Sequence, residues 1–225
     1  MTKELNYFQN QPFDCKVLDI SYLAIPKNGS SYVKSIFYRL NNFNHRLNLE
    51  LPNSKWHEVY NNKKGHKVFL NRNKPLVVFL RDPLDRFISG FNHRIVKLKE
   101  ILGDINNNEE KLEIFVDRFE YFLKNIPTIN WHFSPQIYFI KKYLRNKHLQ
   151  IHSVEEINNV LSRFFNKQKH NNELNKFYYS ISKQRVNKTD KEFLYLTAEN
   201  IPSTLKNKIN LHYSQDYDLL KKIKK

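Results

Sequence analysis

The sequence predicts an α/β fold: a single domain with a mainly parallel central sheet flanked by helices. Three observations carry that prediction. Lys16 to Leu40 (KVLDISYLAIPKNGSSYVKSIFYRL) reads as strand, tight loop and amphipathic helix. Leu76 to Leu80 (LVVFL) is an uninterrupted apolar run, as in a parallel strand covered on both faces. A strand-like run at Leu149 to His152 again precedes a helical pattern. Strands alternating with helices build a parallel sheet.

Each element has a local cause. Val17, Leu18, Ile20, Leu23 and Ile25 form an apolar run of strand length that Pro26 ends. Asn28-Gly29 supplies the turn, because Gly accepts a positive φ without a steric cost. Ser30 or Ser31 can cap the helix that follows, with Val33, Ile36, Phe37 and Leu40 on one face. Residues 41–65 are polar and weakly periodic, which predicts loops with a short helix, and Val68-Phe69-Leu70 a short strand. After Leu80, Asp82 can cap a second helix, Pro83 suits its first position, and Asp85 favours its positive end. Its expected buried stripe is Leu84, Phe87, Ile88, Phe91, Ile95 and Leu98, and Gly90 within it points to close approach of another backbone.

Further helices are expected at 109–124 and, after Pro135, at 135–145. Ser153 and Glu156 have capping-box spacing ahead of Ile157, Val160, Leu161, Phe164 and Phe165. Residues 166–192 are very polar and read as a mobile, basic excursion. Phe193 to Leu196 reads as one more strand, and Ser214 to Ile223 as a closing helix. No repeat, linker or shift in composition marks a boundary, so residues 1–225 read as one domain.

The totals narrow the function class. A hydrophobic fraction of 40% with 17 Phe and 13 Tyr supports a core and argues against wholesale disorder. No apolar run reaches membrane-spanning length, and the N-terminus lacks a secretory signal pattern. The single Cys15 rules out an internal disulfide and suits a reducing, cytoplasmic setting. A net charge of +16 implies a polyanionic partner, an anionic substrate or an anionic cofactor. The abundance of Lys, Asn and Ile is also what a biased genome composition produces.

Two turns carry the chemistry. A strand feeding a tight loop into a helix leaves backbone N–H groups aimed at one point, which binds phosphate or sulfate. Lys27 adds a charge there, and Ser30 and Ser31 add hydroxyls; an ordinary strand–turn–helix connection is the alternative. The loop is not the nucleotide-binding G-x-x-x-x-G-K-[ST] pattern, because Lys27 precedes Gly29. That counts against an ATPase or a kinase. The second turn carries Arg81 and Ser89, with a surface ion pair from Arg81 to Asp82 or Asp85 as the alternative. In a parallel sheet such turns lie beyond the carboxyl ends of the strands, so both can face one ligand with two separated phosphate groups.

IPKNGSS followed by FLRDPLDRFISGF resembles the paired cofactor-binding motifs of sulfotransferases that use 3′-phosphoadenosine 5′-phosphosulfate. The likeness is greatest to carbohydrate sulfotransferases of the Golgi and their bacterial relatives. It runs from Ile25 to Phe91, and weaker echoes follow in WHFSPQ (Trp131 to Gln136), RVNKT at 185–189 and HYSQDYDLL at 212–220. The resemblance implies a P-loop-like sulfotransferase fold, with Lys27, Asn28, Gly29, Ser30 and Ser31 holding the 5′-phosphosulfate. It implies Arg81 and Ser89 at the 3′-phosphate, and Arg185, Asn187 and Lys188 either closing over that phosphate or lying in a solvated basic loop. Sulfuryl transfer would yield adenosine 3′,5′-bisphosphate without a metal, the acceptor being a hydroxyl, expected on a glycan or small sugar. His132, which Pro135-Gln136 could hold at a helix start, is the expected general base, with His66, His57, Glu50 and Glu58 as alternatives. The first loop departs from the family in carrying Ser30 where a second Gly is common.

The rival reading is a basic nucleic-acid-binding protein without catalysis. Against it, most aromatic residues sit at helix-core spacing and no nucleic-acid motif is present.

Overall fold

The computed structural model describes residues 12–43, 73–103, 105–184 and 191–223. In chain order the strands and helices begin with β1 (Phe13–Cys15), β2 (Ile20–Tyr22), α1 (Ser30–Asn41), β3 (Leu76–Leu80) and α2 (Pro83–Phe91). Next come α3 (Asn108–Asp117), α4 (Phe119–Asn125), α5 (Pro127–Phe133), α6 (Ile137–Ile140) and β4 (Leu149–Ser153). The chain continues through α7 (Ile157–Asn166), α8 (Asn172–Ser182), α9 (Ser203–His212) and α10 (Ser214–Ile223). The expected mixed α/β class holds. One sheet has the order β1-β2-β3-β4, in which β2, β3 and β4 are parallel and β1 runs antiparallel to β2. The described residues divide into two compact units: 12–43, 73–80 and 142–184 in one, 81–103, 105–141 and 191–223 in the other.

The first unit holds the sheet. β3 is buried along its whole length and pairs with both parallel neighbours, as its unbroken apolar run predicts. Val33, Ile36, Phe37 and Leu40 of α1 share a core with all five residues of the α7 stripe, Ile157, Val160, Leu161, Phe164 and Phe165. The capping box forms as expected: the Ser153 N–H donates to Glu156 Oε2 at 3.0 Å. Two expectations fail here. The apolar run at 17–25 is not one strand, because Lys16–Asp19 turns the chain and Cys15 pairs back on Ile20. Asp19 makes that turn at φ 50, a conformation Asp accepts better than most residues. The described part of the polar stretch after 166, as far as 184, is also ordered. Asn171 caps α8 by accepting from the Leu174 N–H at 2.8 Å, and only Tyr178 and Ile181 face inward strongly enough to be buried. So few apolar anchors in a charged segment hide its amphipathicity.

The second unit is helical and built around phenylalanines. Phe115 lies 4.9 Å from Phe133 and 5.8 Å from Phe91, ring centroid to ring centroid, and Phe87 lies 5.6 Å from Phe133. Asp82 caps α2 as expected, its Oδ1 accepting from the Leu84 and Asp85 N–H groups at 2.9 and 3.2 Å. Leu84, Phe87, Phe91 and Ile95 are buried, but Leu98 is 45% exposed. After α2 the chain winds as a π-helix over Asn92–Lys97, and that change of pitch takes Leu98 off the stripe. The close neighbour of Gly90 is the Phe133 ring rather than a backbone: a Cβ there would lie 2.9 Å from its Cε1.

The helix expected over 109–124 is broken at Arg118 into α3 and α4. The one expected over 135–145 is the four-residue α6 with a 3₁₀ turn at Lys141–Tyr143. No strand forms at 193–196. The Asn92 carboxamide takes both backbone groups of Leu196 instead, donating to its O at 2.8 Å and accepting from its N–H at 2.9 Å. The closing helix α10 is as expected.

Candidate functional site

The loop leaving β2 is tightly specified. Lys27 and Gly29 both adopt left-handed backbone conformations, at φ 68 and 69. A non-Gly residue in that region stores strain that persists only where the surroundings impose it, a condition common at ligand sites. The Asn28 N–H bonds Ile25 O at 3.3 Å, while its buried side chain donates from Nδ2 to Phe79 O at 2.8 Å. Asn28 therefore moors the loop to the carboxyl end of β3. Gly29 is the N-cap of α1, and it offers no side-chain cap. The first turn carries no acidic residue. The N–H groups of a helix's first turn have no partner inside the helix and lie at the positive end of its dipole. Ser30 is buried there, and Lys27 and Ser31 are half-buried. A Cβ on Gly29 would stand 2.9 Å from Ile157 Cδ1 of α7, so only Gly leaves this passage of backbone open. The arrangement suits an oxyanion with two or more negative oxygens.

The Arg81 turn is built differently. The start of α2 is already occupied by its own Asp82 carboxylate, with Asp85 in the first turn. An anion here has to be held by side chains, and Arg81 and Ser89 are both half-buried. The Arg81 backbone is clamped by Gln136: its N–H donates to Gln136 Oε1 at 3.0 Å, and its O accepts from Gln136 Nε2 at 2.9 Å. Gln136 is fixed in turn by Asp216 of α10, whose Oδ2 and Oδ1 accept from the Gln136 and Ile137 N–H groups at 2.7 and 2.9 Å. Arg86, 1% exposed, donates from Nη1 to Ser134 O at 2.8 Å, and Tyr213 Oη donates to Phe133 O at 2.5 Å. Burial pushes the Asp216 carboxyl above its usual range, while the two N–H donors and nearby Arg86 pull it back.

Sequence reading gave Asp216 and Arg86 no role and expected Gln136, with Pro135, to hold His132 at a helix start; its carboxamide holds the Arg81 backbone instead. WHFSPQ and HYSQDYDLL, which carry Gln136 and Asp216, turn out to be two halves of one brace.

His132 lies in the last turn of α5, not at the start of a helix. Its Nδ1 is 2.7 Å from Thr128 O, a carbonyl that can only accept, so the proton sits on Nδ1. Arg94 Nη2 is 3.2 and 3.1 Å from the two ring nitrogens. An in-plane approach equidistant from both would overlap the carbon between them, so the guanidinium lies over the ring face. Arg94 Nη1 is anchored to Glu100 Oε1 at 2.7 Å. His152 on β4 was not singled out from the sequence. It pairs with Phe79, and its buried Nε2 has no hydrogen-bond partner among the described residues.

Arg185, Asn187 and Lys188, and the alternative bases His57, His66, Glu50 and Glu58, lie outside the described residues, as does the expected strand Val68-Phe69-Leu70. Among the described residues no group of His, Cys, Asp and Glu is arranged to hold a metal, and no helix is long and apolar enough to cross a membrane.

Comparison with curated proteins and with solved structures gives no match. The sequence model of the sulfotransferase family matches residues 11–222, a span that contains both motif-bearing turns and the Gln136–Asp216 brace. By that match over nearly its whole length, the chain belongs to the sulfotransferase family.

Proposed function

We propose that this sulfotransferase, working as a single domain over residues 1–225 in the cytoplasm, transfers a sulfuryl group from 3′-phosphoadenosine 5′-phosphosulfate to a carbohydrate hydroxyl. The observation that carries the reading is the loop at Lys27–Gly29: a strained Lys and an uncapped helix start on a backbone moored to β3. The donor, when bound, supplies a sulfuryl group already activated by a good leaving phosphate. Lys27 and the first-turn amides of α1 stabilise the charge that grows on the bridging oxygen as its bond to sulfur breaks. Gly29, Ser30 and Ser31 complete the grip on the 5′ side, and Asn28 keeps the loop in shape. Arg81 and Ser89 hold the 3′-phosphate, where a planar guanidinium can bond two oxygens at once. Arg185 and Lys188 close over the same phosphate.

His132 takes the acceptor proton at Nε2 as the new S–O bond forms, its tautomer set by Thr128 O. The net charge of +16 favours an acceptor that is itself acidic. No metal takes part in this scheme.

Calorimetry with adenosine 3′,5′-bisphosphate, alongside turnover of the sulfate donor on a panel of sugars, tests the reading. Saturable nucleotide binding and sulfated sugar are expected. In the His132→Asn variant the turnover number falls on the order of 10²-fold or more while nucleotide affinity holds. Binding to nucleic acid that collapses with salt, together with indifference to the bisphosphate, would instead support the non-catalytic alternative.

A further inference from the structure

We infer that Gln136 is a positioning residue for the 3′-phosphate side of the site: its carboxamide clamps both backbone groups of Arg81 and thereby aims the guanidinium. The inference rests on the assignment of Arg81 to that phosphate, and it extends the assignment to two residues that touch no ligand. Gln136 is fully buried, so its amide has no solvent to turn to. Its two hydrogen bonds, at 3.0 and 2.9 Å, fix the peptide planes on both sides of the Arg81 Cα. The next residue, Asp82, is already committed as the cap of α2. Arg81 therefore has no backbone freedom on either side.

That matters because an Arg side chain is a long lever. A bidentate guanidinium–phosphate pair depends on orientation, and a misplacement of about 1 Å at a working group is enough to cost on the order of 10²-fold.

Asp216 carries the clamp one step further. It holds the N–H of Gln136 and of the residue after it, fixing the backbone from which the Gln136 side chain departs. Arg86 and Tyr213 grip the carbonyls of Ser134 and Phe133 just upstream. The segment from Phe133 to Ile137 is thus tied down at four backbone groups, and α10 becomes part of the phosphate site without reaching it. Such networks act as units, since each buried member left unsatisfied costs more than its own bond.

The test compares two nucleotides on the full chain: adenosine 3′,5′-bisphosphate, and adenosine 5′-phosphate, which lacks the 3′ group. Wild type should prefer the bisphosphate by tenfold or more. Arg81→Ala should abolish the preference. Gln136→Met, which keeps length and loses both hydrogen bonds, should lose most of it while its affinity for the 5′-phosphate stays within about threefold. The double variant should be no worse than Arg81→Ala alone. General loosening of the fold lowers the melting temperature but weakens both nucleotides alike, so the ratio isolates positioning. If Gln136→Met does not fold, Asp216→Asn serves, with a smaller loss of the same preference expected.

Full preference retained in a folded Gln136→Met, or in a folded Asp216→Asn where that variant stands in for it, alongside its loss in Arg81→Ala, overturns this inference and leaves the transferase reading standing. A wild type indifferent to the 3′-phosphate overturns both.

Discussion

Replacing Gly29 by Ala is the sharpest single test of the loop. Two effects oppose the substitution and one favours it. Gly29 sits at φ 69, where an L-residue is disfavoured by about 1–2 kcal/mol. The new Cβ would lie 2.9 Å from Ile157 Cδ1, well inside ordinary contact. That methyl is the far end of a flexible side chain, so it can swing away for about 0.5–1.5 kcal/mol of rotamer strain. Against these, Ala restricts the unfolded chain and returns about 0.4–1 kcal/mol. The net expectation is a loss of about 1–2 kcal/mol, seen as a melting temperature lower by about 2–8 °C for a chain of this size.

The two unfavourable contributions can be separated. Ile157→Val removes Cδ1, so Gly29→Ala should cost less in that background, by about the rotamer component, while the backbone component remains. Urea and thermal unfolding of the four proteins, followed by far-ultraviolet circular dichroism, give the cycle. A Gly29→Ala protein as stable as wild type would show that neither the left-handed turn nor its contact with α7 constrains this position, and a cost unchanged by Ile157→Val would remove the contact alone.

Two further outcomes are expected. Lys27→Met should lower the turnover number by on the order of 10²–10³ with little change in melting temperature, as for loss of one donor to a developing oxyanion, and turnover within a fewfold of wild type would remove Lys27 from the chemistry. His152 and His212 are both held below the usual histidine value, chiefly by burial, with Arg163 and Arg86 respectively adding to the effect and Glu156 and Glu120 opposing it. The native state then binds fewer protons than the unfolded chain between each depressed value and about 6.5, so stability falls as pH drops through that window and is flat above it. Melting curves from pH 7.5 to 5 should show this decline, and His212→Gln should make it shallower. An identical pH dependence in the variant would contradict the assignment.

What sequence could and could not convey follows the range over which each residue finds its partner. The α1 face at Val33, Ile36, Phe37 and Leu40, the Asp82–Pro83 start of α2 and the Ser153–Glu156 box were all legible. Each is decided by neighbours within about four residues or two turns of helix, the reach of periodicity and capping. The motif strings at Lys27 and Arg81 were legible for the same reason. The turn at Asp19 was not, because β1 had to be present before Leu18 and Ile20 could belong to different stretches of chain.

The rest was decided by side chains that satisfy distant backbone. Asn92 replaces a strand partner for Leu196 across 104 residues, and with it the expected strand at 193–196 disappears. Gln136 reaches Arg81 across 55 residues, and Asp216 reaches Gln136 across 80. By itself the sequence determined the fold class, the two motif-bearing turns and the family. Tertiary structure alone decided that Asn28 moors its loop and that Gln136 and Asp216 hold Arg81. A buried amide or carboxylate takes whichever backbone groups the packed chain leaves unpaired, and that choice does not exist until the chain has folded around it.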